Sequence, residues 1–323
     1  MRAATDAPTL DPPRPDHGQA GAGHAAPGWT AAPERGSDGA LRLMVWILRR
    51  IGWRAGHLLL YPIALYFLAT SPRQRGAARR YLARALGRRP GLGDLFRLYF
   101  AFASTIMDRV FLVAGDTAGY EIRVEGLDAL KTAMAGGRGC LLLGAHLGSF
   151  EAMRAVADAG CPVEVAVLMH QENAARVGAL FDAIGGERRA AAVIPLGRPD
   201  SMLRVRECLE RGGLVGLLAD RVPRGERVLR VPFLGAPAPL PVGPHLLAAM
   251  LGAPVLLAFG IWRGPRRYEV RFEPFADAMP RGREGREAAI AALVARYAAR
   301  LEALCRDHPY NWFNFHDFWE EGR

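Results

Sequence analysis

Between Tyr120 and Phe272 the chain alternates short apolar runs with longer amphipathic stretches. This alternation restricts the fold more than any other feature. Strands are expected at Tyr120–Val124, Cys140–Leu143, Val163–Leu168, Ala191–Pro195, Gly213–Leu218, Val255–Trp262 and Tyr268–Phe272. Helices are expected between them at Leu127–Ala135, Glu151–Ala159, Asn173–Ile184, Ser201–Arg211 and Gly243–Leu251. Repeated βα units require crossover connections, so the pattern implies an α/β fold with a mostly parallel central sheet flanked by helices. Asp94–Val113 and Glu284–Cys305 read as two further long helices.

The strand Cys140–Leu143 runs into Gly144-Ala-His146-Leu-Gly148-Ser149-Phe-Glu151. A histidine therefore sits in a strand-to-helix turn, where α/β folds place chemistry, and a carboxylate follows five positions later. Histidine with a carboxylate is the minimum equipment for taking a proton from an alcohol at neutral pH. On one continuous helix, positions five apart diverge by about 140°. A His146–Glu151 contact thus needs a bend, which Gly144 and Gly148 permit. The plain alternative is a half-buried histidine near a solvated helix-start glutamate.

Leu217-Leu-Ala-Asp220-Arg221 puts a charge pair at the end of an apolar strand, the edge that faces the ligand crevice in open α/β sheets. Arg221 is a candidate for holding a phosphate or an oxyanion, with Asp220 orienting it or capping a turn. Arg224, Arg227 and Arg230 follow and suit either phosphate or a solvated basic loop. Arg198, after a Pro-Leu-Gly turn, is a weaker candidate of the same kind. The segment Val231–Pro244, with Phe233 and Gly235 inside it, is dense in proline and glycine and otherwise apolar. It reads as a rigid apolar loop that walls a hydrocarbon channel, or as a long plain connector. The aromatic tail Tyr310–Trp319 suits a membrane interface, closure of an acyl site, or core packing.

Residues 1–33 are rich in Pro, Gly and Ala and read as a disordered arm without a secretory signal. Residues 34–80 hold two apolar runs separated by Arg49, Arg50 and Arg54, with Arg73, Arg75, Arg79 and Arg80 beyond. The runs are short for a span of about 20 residues, and cations on both flanks stay cytoplasmic. They are expected to form a membrane-associated helical hairpin in the cytoplasmic leaflet, or an ordinary buried one. Residues 81–323 form the α/β domain. The net charge of +10, almost all arginine, favours an anionic membrane surface, acidic carriers or phosphorylated cofactors over nucleic acid, for which no binding signature is present. Cys140, Cys161, Cys208 and Cys305 form no C-x-x-C pair, which argues against a disulfide scaffold or a thiolate zinc site. There is no G-x-S-x-G elbow, Walker loop or dinucleotide fingerprint.

The H-x4-E spacing after an apolar strand resembles the leading motif of the lysophospholipid acyltransferase superfamily. Val231-Pro-Phe-Leu-Gly-Ala-Pro-Ala238, with Gly243, Pro244 and the Leu251-Gly-Ala-Pro-Val255 strand entry, is similar to its lipid A late acyltransferase branch. Glu34-Arg-Gly-Ser37 and the Tyr310–Trp319 ending resemble a predicted acyltransferase subgroup that accompanies aryl polyene and other lipid-assembly genes. The likeness runs from about residue 34 to the C-terminus. It implies a glycerol-3-phosphate acyltransferase-like fold at the cytoplasmic face of an inner membrane. It implies O-acyl transfer from an acyl carrier protein or coenzyme A thioester to a hydroxyl of a membrane lipid, with no cofactor or metal. His146 is then the general base, Glu151 fixes its tautomer, and Arg221 or N–H groups near Gly148 receive the oxyanion. Gly148, Ser149, Arg198, Asp220, Arg221, Phe233 and Gly235 are the expected substrate-binding residues. Two rival readings stand beside this: a non-catalytic lipid-binding protein at the membrane surface, and a metal-dependent hydrolase using His146, Glu151 and Asp220.

Overall fold

The structure is a computed structural model. It describes residues 38–160, 163–170, 192–223, 225–277 and 285–320. Strands are β1 (Glu121–Glu125), β2 (Cys140–Gly144), β3 (Val165–His170), β4 (Ala192–Leu196), β5 (Leu214–Leu218), β6 (Val228–Phe233), β7 (Ala236–Pro241), β8 (Val255–Gly264) and β9 (Arg267–Ala276). Helices are α1 (Asp38–Thr70), α2 (Pro72–Leu86), α3 (Leu92–Val113), α4 (Leu127–Met134), α5 (Phe150–Gly160), α6 (Ser201–Glu210), α7 (Gly243–Leu251) and α8 (Arg286–Asp307). The helix expected at 173–184, the segment Glu34–Ser37, Cys161 and Arg224 lie outside the described residues.

Seven strands form one sheet in the order β1-β9-β8-β2-β5-β3-β4. All neighbouring pairs are parallel except β8 with β9, which are joined by a tight turn and run antiparallel. The expected mostly parallel α/β sheet is present. β2 and β5 lie at its centre, and both are almost wholly buried. Strands covered on both faces carry continuous apolar runs, which Cys140–Leu143 and Leu214–Leu217 do.

The proline-rich segment is not a loop. It forms a separate antiparallel ribbon, β6 with β7. Pro237, Pro239 and Pro241 face Pro232, Arg230 and Val228, so the prolines of β7 sit on alternate pairs. Antiparallel pairs alternate between hydrogen-bonded and non-bonded types, and this spacing keeps the missing N–H groups on one edge. The ribbon turns at Leu234 and Gly235, both at positive φ (49° and 78°).

α1 is kinked at Gly52 (φ 75°, ψ 169°), where the basic break was expected, and so comprises two helical pieces. Leu60, Ala64 and Leu68 are buried at a spacing of four, and α1 packs along α3. Its other faces expose Leu58, Leu59, Tyr61, Ile63, Leu65, Tyr66 and Phe67. No helix among the described residues is long and apolar enough to cross a membrane. One buried carboxylate ties α1 to the sheet: Asp108 of α3 accepts from Trp53 Nε1 (2.7 Å), Tyr120 Oη (2.8 Å) and Tyr268 Oη (2.7 Å). Burial pushes Asp108 up, against the pull of those three donors.

Candidate active site

β2 ends at Gly144, and His146 occupies the turn before α5. Two close backbone contacts fix that turn. Gly148 has φ 73°, and a Cβ there would lie 1.9 Å from the Gly260 carbonyl oxygen of β8. A Cβ on Gly260 would lie 2.0 Å from the Ser149 oxygen. Both seams therefore demand glycine. The Ser149 N–H donates to Gly260 O (2.7 Å) and the Gly148 N–H to Asn311 O (2.9 Å). The Ser149 hydroxyl accepts from the Ala152 N–H (3.2 Å), which makes Ser149 the N-cap of α5.

The carboxylate on His146 is Asp220, not Glu151. Asp220 follows β5, which pairs in register with β2, so two strand ends 74 residues apart in sequence meet side by side. Asp220 Oδ1 lies 2.8 Å from His146 Nδ1. Its Oδ2 accepts from the His146 backbone N–H (2.9 Å) and from Trp312 Nε1 (2.8 Å). With Asp220 1% exposed, its charge is held entirely by these donors and by Arg221. Burial pushes the carboxyl up, but His146, Arg221 and Trp312 together outweigh burial and hold it well below the usual carboxylate range. His146, with its side chain 27% exposed, is lowered from the ordinary histidine value. Burial is the main cause and the Arg221 charge the next, against the opposite pull of Asp220. A neutral imidazole whose Nδ1–H is fixed by a carboxylate leaves Nε2 as the proton acceptor.

Glu151 lies elsewhere. Its Oε1 pairs with Arg109 Nε of α3 (2.7 Å), and its Oε2 accepts from the Ser149 hydroxyl (3.3 Å). The expectation that Glu151 orients the imidazole is corrected for a simple electrostatic reason. A guanidinium attracts the carboxylate far more than a neutral ring does, and Asp220 already occupies Nδ1.

The C-terminal aromatic segment walls the site. The Phe313 N–H donates to His146 O (2.8 Å), and Arg221 Nη2 donates to Phe313 O (3.1 Å). Asn311 exchanges hydrogen bonds with the Trp262 backbone, N–H to Oδ1 at 2.7 Å and Nδ2 to O at 3.2 Å. Trp312 is fully buried, with Tyr81, Phe233 and Phe318 rings against it at 4.9, 5.3 and 5.0 Å. Of the three roles open to this tail, core packing against the His146 turn is the one its contacts fill.

A family model described as bacterial lipid A biosynthesis acyltransferase matches residues 35–321. The chain belongs to that family. No curated protein matches it. Acyltransferases of this family need no cofactor, and its members are membrane-associated. In this acyltransferase the metal-hydrolase triad does not converge, because Glu151 faces Arg109 while Asp220 faces His146. No cluster of three His, Cys, Asp or Glu suited to a metal exists among the described residues.

The remaining expected substrate residues divide. Asp220 and Arg221 join His146. Gly148 lies in the same turn, but its N–H and those of His146 and Ser149 are already bonded, which removes them as oxyanion donors. Ser149 is 2% exposed and serves as a cap. Phe233 is fully buried among Trp312, Phe318 and Trp319, so it is core and not channel wall. Gly235 forms the ribbon turn beside Leu234, whose N–H donates to Glu302 Oε2 (2.5 Å). Arg198 follows β4, separated from β5 by β3; at ~4.8 Å per strand it starts roughly 14 Å from β2. There it pairs with Asp200 (3.3 Å). Sequence reasoning did not find Arg109 or the bond from Trp312 to Asp220. Only the density of aromatic residues near the C-terminus pointed to the latter.

Proposed function

We propose that the protein transfers an acyl group from a thioester, carried by acyl carrier protein or coenzyme A, to a hydroxyl of a membrane lipid. The observation that carries this reading is the His146–Asp220 pair in a chain of the lipid A acyltransferase family. His146 Nε2 takes the proton of the acceptor hydroxyl as its oxygen attacks the thioester carbonyl. Asp220 holds the imidazole and balances the imidazolium. The oxyanion is met by Arg221. Collapse forms the ester, breaks the C–S bond, and returns the proton from His146 to the departing thiolate. Glu151 acts at one remove, holding the first turn of α5 against α3 through Arg109.

The exposed apolar faces of α1 supply the membrane contact. The exposed Arg54 and the arginines of α2 lie beside them, as expected for a helix resting in an anionic leaflet at its cytoplasmic face.

The test incubates the full chain with a radiolabelled acyl thioester and inner-membrane lipid extract. New labelled ester, abolished by His146→Ala with an unchanged melting temperature, is the expected result. Bound label without new ester supports the non-catalytic lipid-binding reading instead.

A further inference from the structure

Phe233 is buried among aromatic rings, so apolar surface open to a hydrocarbon must lie elsewhere around the His146 turn. α3 presents such a surface. Phe102, Ile106 and Arg109 stand four and three residues apart, which places them on one face of the helix over roughly 10 Å. Phe102 is 36% exposed, and Ala103 and Ile106 are half-buried, although Ala101, Thr105 and Met107 beside them are buried. Both ends of this strip are fastened to the turn that carries His146. At one end the Phe102 ring meets those of Phe313 (5.3 Å) and Phe315 (5.1 Å), and the Phe313 N–H donates to His146 O (2.8 Å). At the other end Arg109 Nε pairs with Glu151 Oε1 (2.7 Å) in the first turn of α5. Ile106 lies between the two anchors, about one helical turn from each. The strip therefore borders the His146 turn along its length. It is apolar up to Arg109, where the guanidinium is already paired.

We propose that this strip of α3, with the rings of Phe313 and Phe315 at its end, holds the alkyl chain of the donor thioester. The inference deepens the acyl-transfer reading and rests on it for the identity of the chain. An acceptor lipid keeps its own chains in the bilayer. The donor chain arrives on a carrier, and with its thioester at His146 it lies in water unless the protein covers it. Burying each methylene favours binding about fourfold. Phe102, Ala103 and Ile106 supply the apolar bed, and the Arg109–Glu151 pair ends it after about two helical turns.

The first measurement compares kcat/KM of the full chain for butanoyl, octanoyl and dodecanoyl coenzyme A, with inner-membrane lipid extract as acceptor. In the unsubstituted chain kcat/KM is expected to climb with chain length. In Phe102→Ala, and in Ile106→Trp, which fills the strip, the dodecanoyl-to-butanoyl ratio is expected to fall about tenfold, the worth of fewer than two buried methylenes. Phe102→Leu is expected to recover part of that ratio. An unchanged ratio, an equal loss for all three donors, or a change confined to the acceptor KM overturns the inference; the last assigns the strip to the acceptor's chains. The second measurement needs neither turnover nor a variant. Decanoyl coenzyme A with a diazirine at its last carbon is photolysed on the unsubstituted chain, and the adduct is mapped by mass spectrometry. Adducts within residues 102–106 or 313–315, displaced by unmodified decanoyl coenzyme A, are expected; adducts only elsewhere overturn the inference. If no ester forms but the adduct maps to the strip, the acyl-transfer reading falls and the chain-binding site stands. If ester forms and the adduct lies elsewhere, only this inference falls. If neither ester nor adduct forms, both fall.

Discussion

Two acidic side chains, Glu151 and Asp220, flank the turn that carries His146, and they do different work. Glu151 is near in sequence and belongs to the recognisable spacing, yet it faces a guanidinium on α3. Asp220 is distant in sequence and buried, and it receives every donor that the histidine and Trp312 direct toward it. Partnership is set by which strand ends are neighbours in the sheet. The short spacing specifies where the helix begins and what fastens it.

The largest expected effect tests the distant partner. Asp220→Asn keeps the shape and removes the charge that fixes Nδ1–H, and kcat is expected to fall by about 10³-fold. A loss under tenfold, measured in the thioester assay, breaks the contrast between the two acids. Arg221→Gln comes next, with a fall of about 10²-fold from the lost oxyanion contact. It also moves the pH profile. The proposed base works as the neutral imidazole, and its value is lowered in the parent, so kcat/KM is expected to rise with pH with its midpoint below the ordinary histidine value. Removing Arg221 raises that value, and the acid limb shifts to higher pH. A limb that stays in place or moves down contradicts the assigned electrostatics.

Trp312→Phe takes one of three donors from Asp220 and leaves a small void. It is expected to cost about 1–3 kcal/mol in chemical denaturation and about tenfold in kcat. The smallest effect belongs to Glu151→Gln. The amide keeps a partner for Ser149 and loses a partly exposed ion pair worth about 1 kcal/mol or less. Turnover within about tenfold of the parent, with a slightly lowered melting temperature, sharpens the comparison. A loss as large as that of Asp220→Asn returns Glu151 to the chemistry.

The sheet was legible because βα alternation and continuous apolar runs are local signals, and β2 and β5 carry them plainly. His146 was legible for the same reason, sitting where an apolar run stops. The Asp220 pairing was not. It depends on β2 and β5 being adjacent, and strand order is decided by crossover connections that leave no mark near either residue. Asp220 was recognised only as a charge at a strand end. The ribbon β6–β7 was misread because proline density suggests a loop; only its alternate spacing, matched to the ladder of a two-stranded edge, makes a strand possible. Phe233 was assigned to a channel on hydrophobicity alone, a property that core and channel walls share.

The seam between Gly148 and Gly260 sets how high the His146 imidazole stands above the sheet. Main chain rests on main chain there, with no side chain between them to act as a shim. A neighbouring side chain could turn aside by a rotamer change, but a methyl added at either position meets backbone and has nowhere to go. The height of the His146 ring is thus written in the backbone, and neither glycine of this seam can be exchanged for a larger residue without moving it.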